Sequence, residues 1–229
     1  LTETDAVLST GGTLTSTDVD GTANLFIAQT DVAGSNGYGT FSIGTDGQWT
    51  YTTTTAHDAF EPGKDYTDTI TVQAADGTEQ VITVTITGTN DAAEIGGSTR
   101  VALTETDAVL STSGQLTASD GDGSANLFIA QTDAAGSNGY GSFSIGTDGA
   151  WTYTTTTAHN EFQAGKDYTD SITVTAADGT EQVITVTITG TNDAAVISGD
   201  TSASLDETDA ELSTGGQLTS TDVDGTDNL

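Results

Sequence analysis

The residues with the most chemical potential in this chain are paired carboxylates. Asp18-Val19-Asp20-Gly21, Asp120-Gly121-Asp122-Gly123 and Asp222-Val223-Asp224-Gly225 share the pattern Asp-x-Asp-Gly. Two carboxylates two residues apart, followed by a glycine, can fold around one hard divalent cation, since Ca²⁺ gathers about six to eight oxygen ligands. The loop is not an EF-hand, because the twelfth position counted from Asp18 is Gln29 where a bidentate glutamate belongs. Nor is it a Gly-Gly-x-Gly-x-Asp β-roll, a motif the chain lacks. Alone, Asp-x-Asp-Gly is also an ordinary turn, so its meaning depends on what the fold brings to it.

The three loops recur because the whole chain recurs. Leu-Thr-Glu-Thr-Asp-Ala opens at Leu1 and returns at Leu103, and Leu-Asp-Glu-Thr-Asp-Ala opens a third copy at Leu205, a period of 102 residues. That length is a small domain's, longer than a solenoid repeat. Copy boundaries are expected at Gly88-Thr89-Asn90-Asp91 and Gly190-Thr191-Asn192-Asp193, giving residues 1–91 as a repeat without its opening strand, 92–193 as a complete repeat and 194–229 as the start of a third. The linkers are short and are not Gly/Ser coils, so successive domains are expected nearly end to end. Leu1 falls inside a repeat, and the chain reads as a window on something longer.

Period-two alternation gives the elements. In Gln80 to Thr87, Ile82, Val84 and Ile86 share one face while Val81, Thr83, Thr85 and Thr87 share the other, the mark of a half-buried strand. Thr69 to Ala74 alternates likewise, and Asp76-Gly77 between the two is a hairpin signal. Phe41 and Ile43, the turn at Asp46-Gly47, then Trp49 and Tyr51 make a second hairpin, and both recur around Asp178-Gly179 and Asp148-Gly149. Leu14 to Thr17 and Leu25 to Ala28 supply two more strands, and Ala92 to Thr104 the opening strand of the second copy. About seven short strands per hundred residues with no helical stripe predict tandem antiparallel β-sandwiches, with Trp151 and Tyr153 in the core.

In such a sandwich the loop after the second strand, with Asp120 and Asp122, returns to the linker residues Asn90 and Asp91. The loop between the last two strands, with Asp178, reaches the same end. Clustered carboxylates repel unless a cation stands among them, and calcium is the expected occupant. The period extends this set to Asp18, Asp20 and Asp76, and to Asn192, Asp193, Asp222 and Asp224. Glu3 and Asp5, or Glu105 and Asp107, either join a neighbouring site or are solvated turn residues. Asp65, Asp68, Asp167 and Asp170 read as solvated, and His57 and His159 as structural loop residues.

Composition narrows the function. The chain has 34 acidic and 3 basic residues, a net charge of −31, and neither Cys nor Met. Without a basic patch there is no means of releasing phosphate counterions, so nucleic acid is excluded as a natural partner, and an anionic membrane surface is unsuited for the same reason. Disulfides and thiolate metal sites are impossible. No apolar run reaches transmembrane length and no signal peptide is visible. Carboxylate pairs are too abundant to mark a glycosidase, and no nucleophile is set beside a base.

The tail Val-Thr-Ile-Thr-Gly-Thr-Asn-Asp-Ala-Ala at 84–93 and 186–195, the Asp-Val-Asp-Gly loop and the Gly-x-Trp-Thr-Tyr hairpin resemble VCBS repeats, cadherin-like tandem modules of giant bacterial RTX-type adhesins. The resemblance covers the whole chain. It implies a cadherin-like or Ig-like sandwich, an extracellular cell-surface location, type I secretion and Ca²⁺ at the joints. Two departures stand out: Asn-Asp-Ala-Ala replaces the family's Asn-Asp-Ala-Pro, and Gly121 replaces Val19 in the second loop, which is expected to loosen that site. The leading expectation is therefore a non-catalytic, calcium-stiffened spacer array serving adhesion and biofilm, contacting neighbouring repeats. The alternatives are self-assembly of copies into a fibre and a carbohydrate-binding adhesive module.

Overall fold

The computed structural model describes residues 1–19, 21, 24–123 and 126–225. Among them there is no helix. The chain forms two compact units, Leu1–Glu94 with Ser119–Asn126, and Ile95–Ala118 with Leu127–Leu229. The first is built on β1 (Ser9–Thr13), β2 (Gln29–Ala33), β3 (Gly39–Ile43), β4 (Gln48–Thr53), β5 (Asp65–Gln73) and β6 (Glu79–Thr87). A sheet in the order β1-β4-β3-β2 faces the β5–β6 hairpin, and Phe41, Tyr51, Val72 and Ile86 meet in the core between them.

The second unit carries β7 (Glu94–Gly97), β8 (Arg100–Thr104), β9 (Ser111–Ser119), β10 (Gln131–Ala135), β11 (Gly141–Ile145), β12 (Ala150–Thr155), β13 (Asp167–Thr175), β14 (Glu181–Thr189), β15 (Val196–Gly199) and β16 (Leu218–Thr221). Its sheets run β10-β11-β12-β9-β7 and β13-β14-β8. Phe143, Trp151 and Tyr153 from one pack on Val174, Ile184 and Ile188 from the other. The fold is all-β, in tandem sandwiches, as the alternation predicts. The pattern holds in detail on β14, where Ile184, Val186 and Ile188 are buried and Val183 is exposed.

Three readings change. The opening strand expected over Ala92 to Thr104 is two strands. Ser98 donates its N–H to Gln115 O of β9 at 2.8 Å, while Thr99 O accepts from Thr185 N of β14 at 2.9 Å, so the chain crosses from one sheet to the other within two residues. Beyond that crossing β8 pairs with β14 in parallel, Val101 opposite Val186. Leu25 to Ala28 supplies only a bridge from Phe26 to Ala74, and the strand lies one step later as β2. Leu14 to Thr17 is not a strand, although its counterpart is the second half of β9.

The difference follows pairing. The second half of β9 lies beside β7. In the third copy β15 and β16 pair with each other, while residues 202–206 and 213–217 have no strand; their counterparts in the second copy pair with β14 and β12. A strand forms where a ladder partner lies beside it, because an unpaired backbone keeps its hydrogen bonds to water.

Asp68 and Asp170 correct the solvated reading. Both are fully buried on β5 and β13. Asp170 accepts from Asn138 N at 2.8 Å, Gly141 N at 2.9 Å and Tyr153 Oη at 3.2 Å, and Asp68 repeats this with Asn36, Gly39 and Tyr51. Gly34 and Gly136 make the approach possible, since a Cβ at either would stand 2.1 Å from the carboxylate. Asp65 and Asp167 are exposed, as expected. Burial of Tyr51 and Tyr153 beside these carboxylates pushes both phenols well above their usual range.

The two tryptophans differ in burial. Trp151 is buried and donates its Nε1–H to Ser98 O at 3.0 Å; Trp49 is only half-buried. Trp151→Ala is therefore expected to cost about 3–5 kcal/mol, within the range for large core truncations, and Trp49→Ala clearly less. Urea unfolding of the two variants checks this, and equal costs would contradict it.

Candidate metal centre

The first unit gathers carboxylates at one end. Thr2 bridges in parallel to Thr87, and Glu3 N donates to Thr87 O at 2.8 Å, so the chain entering this unit runs along the end of β6. This points Glu3 inward beside the residues that follow β6. Thr89 holds one of its oxygens, Oγ1 donating to Glu3 Oε2 at 2.6 Å. Glu3 is 1% exposed, and Oε1 has no hydrogen-bond partner. Asp91 N donates to Asp122 Oδ2 at 2.9 Å, joining the tail of the first copy to the Asp-x-Asp-Gly loop. Asp122 N in turn donates to Asp120 Oδ1 at 3.3 Å. Asp91 Oδ2 and Asp122 Oδ1 are also buried without a partner. Asn90 Nδ2 donates to Asp91 O at 2.8 Å and shapes the turn.

Carboxyl oxygens of Glu3, Asp5 and Asp91 lie within 4.8 Å of one another. Asp5, Asp58, Asp91, Glu94 and Asp120 line a common open pocket. Burial pushes the Asp91 carboxyl up from 3.8 to about 6, helped by the charge of Glu3, a hydrogen bond that the protonated carboxyl donates to Asp5 and the charge of Asp58. A cation reverses both causes, because it supplies the missing partner and neutralises the repulsion.

The second unit repeats the arrangement one period on. Glu105, Asp107 and Asp193 group their carboxyl oxygens within 4.8 Å. Thr191 Oγ1 donates to Glu105 Oε2 at 2.5 Å, and Asp193 N to Asp224 Oδ2 at 3.3 Å. Asn192 Nδ2 donates to Asp193 O at 2.7 Å. Glu105 Oε1, Asp193 Oδ2 and Asp224 Oδ1 are buried without partners. Burial, with a hydrogen bond that the protonated carboxyl donates to Asp107 and the charges of Glu105, Asp107 and Asp224, raises Asp193 to about 6. Asp222 shares this loop. The donor set is oxygen throughout, which suits Ca²⁺ and not a thiolate- or imidazole-loving metal.

The expected residues thus separate into groups. Asn90, Asp91, Asp120 and Asp122 come together, as do Asn192, Asp193, Asp222 and Asp224. Asp18 and Asp76 lie at the opposite end of the first unit, since Asp76 precedes the nine-residue strand β6 that Asp91 follows, a rise of about 30 Å. Ala75 N donates to Leu25 O at 2.8 Å there, and Asp18 N donates to Asn24 Oδ1 at 2.9 Å. Asp20 lies outside the described residues.

Asp76 accepts from Thr78 N and Oγ1, both at 2.9 Å, which holds its carboxyl below the usual range. Asp178 accepts from Thr180 N at 2.9 Å and also from Thr180 Oγ1. Its turn sits at the end of the second unit beside Leu127, whose carbonyl accepts from Ala177 N at 2.8 Å.

Glu3, Asp5, Glu105 and Asp107 belong to the centres. The solvated reading fails for the two glutamates, which are the most buried acids there. Their signal is the repeated Thr-Glu-Thr-Asp at the very point where the chain meets β6 or β14. Asp58, in the loop before Phe60, carried no signal of its own. Gly121 lies against the Asp58 carbonyl, where a Cβ would stand 3.1 Å from that oxygen. His57 and His159 are structural: His57 stacks on Phe60 at 4.6 Å, and its Nε2 meets Tyr38 O at 2.6 Å.

Residues 90–190 match a family model described as a bacterial cadherin-like domain, and over that span the chain is similar to a cadherin-like repeat. No curated protein sequence matches the chain. Among solved structures it is similar to PcdhgB3 EC1-4 (13% identity, TM-score 0.43, 89% of this chain and 50% of that one). It is also similar to the extracellular cadherin domains 1-5 of protocadherin gamma B2 (14%, 0.45, 100% and 45%) and to the protocadherin gammaB4 extracellular domain (17%, 0.47, 100% and 38%). The chain spans half or less of the length of these three proteins.

Proposed function

We propose that this chain is a stretch of calcium-stiffened spacer repeats from a large secreted adhesin of the VCBS type, standing at a bacterial cell surface and serving adhesion and biofilm formation. The observation that carries this reading is the pair of centres in which buried carboxylate oxygens have no partner, at Glu3, Asp91 and Asp122 and again at Glu105, Asp193 and Asp224. Buried anions without donors need a cation. Each centre takes residues from two successive sequence copies. Calcium therefore fastens the tail of one copy, Asn90-Asp91 or Asn192-Asp193, to the acidic loop of the next, with repeat boundaries near residues 91 and 193. The array does no chemistry: its product is length and stiffness. Export by a type I route fits, because such sites, filling at about 10⁻⁴–10⁻³ M Ca²⁺, are empty in a cytosol and occupied outside.

The test is a calorimetric Ca²⁺ titration of the 229-residue chain, with thermal unfolding in calcium and in chelator. Saturable binding and a lower melting temperature with chelator are expected, together with a changed small-angle scattering profile. Identical melting and scattering in both conditions would overturn the reading. The carbohydrate-binding alternative requires aromatic residues on an open face, whereas Tyr51, Trp151 and Tyr153 are core residues.

A further inference from the structure

The two centres are built on nearly identical sequence, yet two positions differ in charge. Asp58 lines the pocket of the first centre, and one period later the residue is Asn160. Glu94 lines the same pocket, and its counterpart is Val196. The first centre is therefore surrounded by Glu3, Asp5, Asp58, Asp91, Glu94, Asp120 and Asp122. The second has Glu105, Asp107, Asp193, Asp222 and Asp224, with an amide and an alkyl group at the remaining places.

Three facts give this difference consequence. Glu3 and Asp122 are 1% and 3% exposed, and each keeps a buried oxygen without a partner, Glu3 grouped with Asp5 and Asp91 and Asp122 bonded to Asp91 N. Asp58 and Glu94 are exposed at its rim, so their carboxylates can close on a cation without disturbing a core. Asn160 keeps a buried, unpartnered Oδ1 at its position, which can still donate an oxygen to a cation but brings no charge. Two additional carboxylates carry the charge of one additional divalent ion. Without that ion they raise the mutual repulsion of an already crowded site, and with it they complete an oxygen shell.

We infer that the centre around Asp91 takes up one more divalent cation than the centre around Asp193, with Asp58 and Glu94 as the extra ligands, so that joints along one chain differ in calcium content and in the calcium concentration that locks them. The inference rests on the calcium reading above. It gives the array a graded response: as calcium falls, the joint with fewer carboxylates releases first.

Equilibrium dialysis of the 229-residue chain against Ca²⁺, read by atomic absorption, tests it. The double variant Asp58→Asn with Glu94→Val is expected to bind one fewer Ca²⁺ per chain, and Asn160→Asp with Val196→Glu to bind one more. Because the altered side chains in the first variant are exposed, circular dichroism should show its strands intact. An unchanged stoichiometry in both variants, with calcium still bound by the native chain, overturns the inference and leaves the calcium reading standing. Absence of binding by the native chain overturns the calcium reading itself, and the inference with it.

Discussion

Asp170→Ala is expected to destabilise the second unit by about 3–5 kcal/mol, the scale of losing one partner from a buried charged network. The carboxylate is fully buried and ties the Asn138–Gly141 turn to β13 through two backbone N–H groups, while also accepting from Tyr153. Alanine leaves all three donors without an acceptor where water enters poorly, and each orphaned group costs about 1–3 kcal/mol. A domain has only about 5–15 kcal/mol in total, so the melting temperature should drop on the order of 20 °C at about 4–8 °C per kcal/mol. Tyr153→Phe is the control. It removes one bond at 3.2 Å and leaves the turn held, so about 1 kcal/mol is expected. Trp151 fluorescence reports this unit and Trp49 the other, so the Asp170→Ala shift should appear in the first signal alone. A loss no larger than that of Tyr153→Phe would show that the carboxylate is dispensable, and Asp68→Ala should mirror the result in the first unit.

Glu105→Gln should change sign with calcium. In chelator, the native side chain is an anion 1% exposed whose Oε1 has no donor, beside Asp107 and Asp193. Glutamine keeps an oxygen for Thr191 and removes the charge, so the variant should gain on the order of 1–2 kcal/mol by relief of an unsatisfied buried acceptor and its repulsion. In saturating calcium the lost carboxylate weakens the centre, and a tenfold loss of affinity corresponds to about 1.4 kcal/mol. The native chain should then melt above the variant. Thermal scans of both proteins in both conditions decide it. A variant less stable than the native chain in both conditions would show that Glu105 is held by protein contacts and not by a cation.

Much of this architecture is legible in residue spacing. Alternation of Ile184, Val186 and Ile188 places β14 and its buried face, because a strand's side chains alternate whatever surrounds it. Asp178-Gly179 marks its hairpin for an equally local reason. The strand β2, which pairs with β3, escaped because a bulge breaks its register between Gln29 and Val32, with Asp31 at φ 51°, so no alternation survives to be read. The crossing at Ser98 and Thr99 escaped too, since both halves of the segment look extended and only their partners differ.

The acidic centres divide the same way. The Asp-x-Asp-Gly loops and the Asn-Asp tails are written in sequence, and their 102-residue recurrence pairs them. Whether a carboxylate is solvated or buried is not written there. Glu3 and Glu105 look like turn residues, and Asp68 and Asp170 like strand-entry residues, yet all four are buried by chain distant in sequence. Thr89 and Thr191 reach Glu3 and Glu105 across 86 residues, while Asn36 and Asn138 reach Asp68 and Asp170 across 32. The sequence alone determined the repeat, the strands of the two alternating hairpins and the oxygen-rich chemistry, because period and residue type are local properties. Only the tertiary structure decided which carboxylates hold a turn and which are buried together without a donor, because that depends on the groups that folding brings within reach of each one.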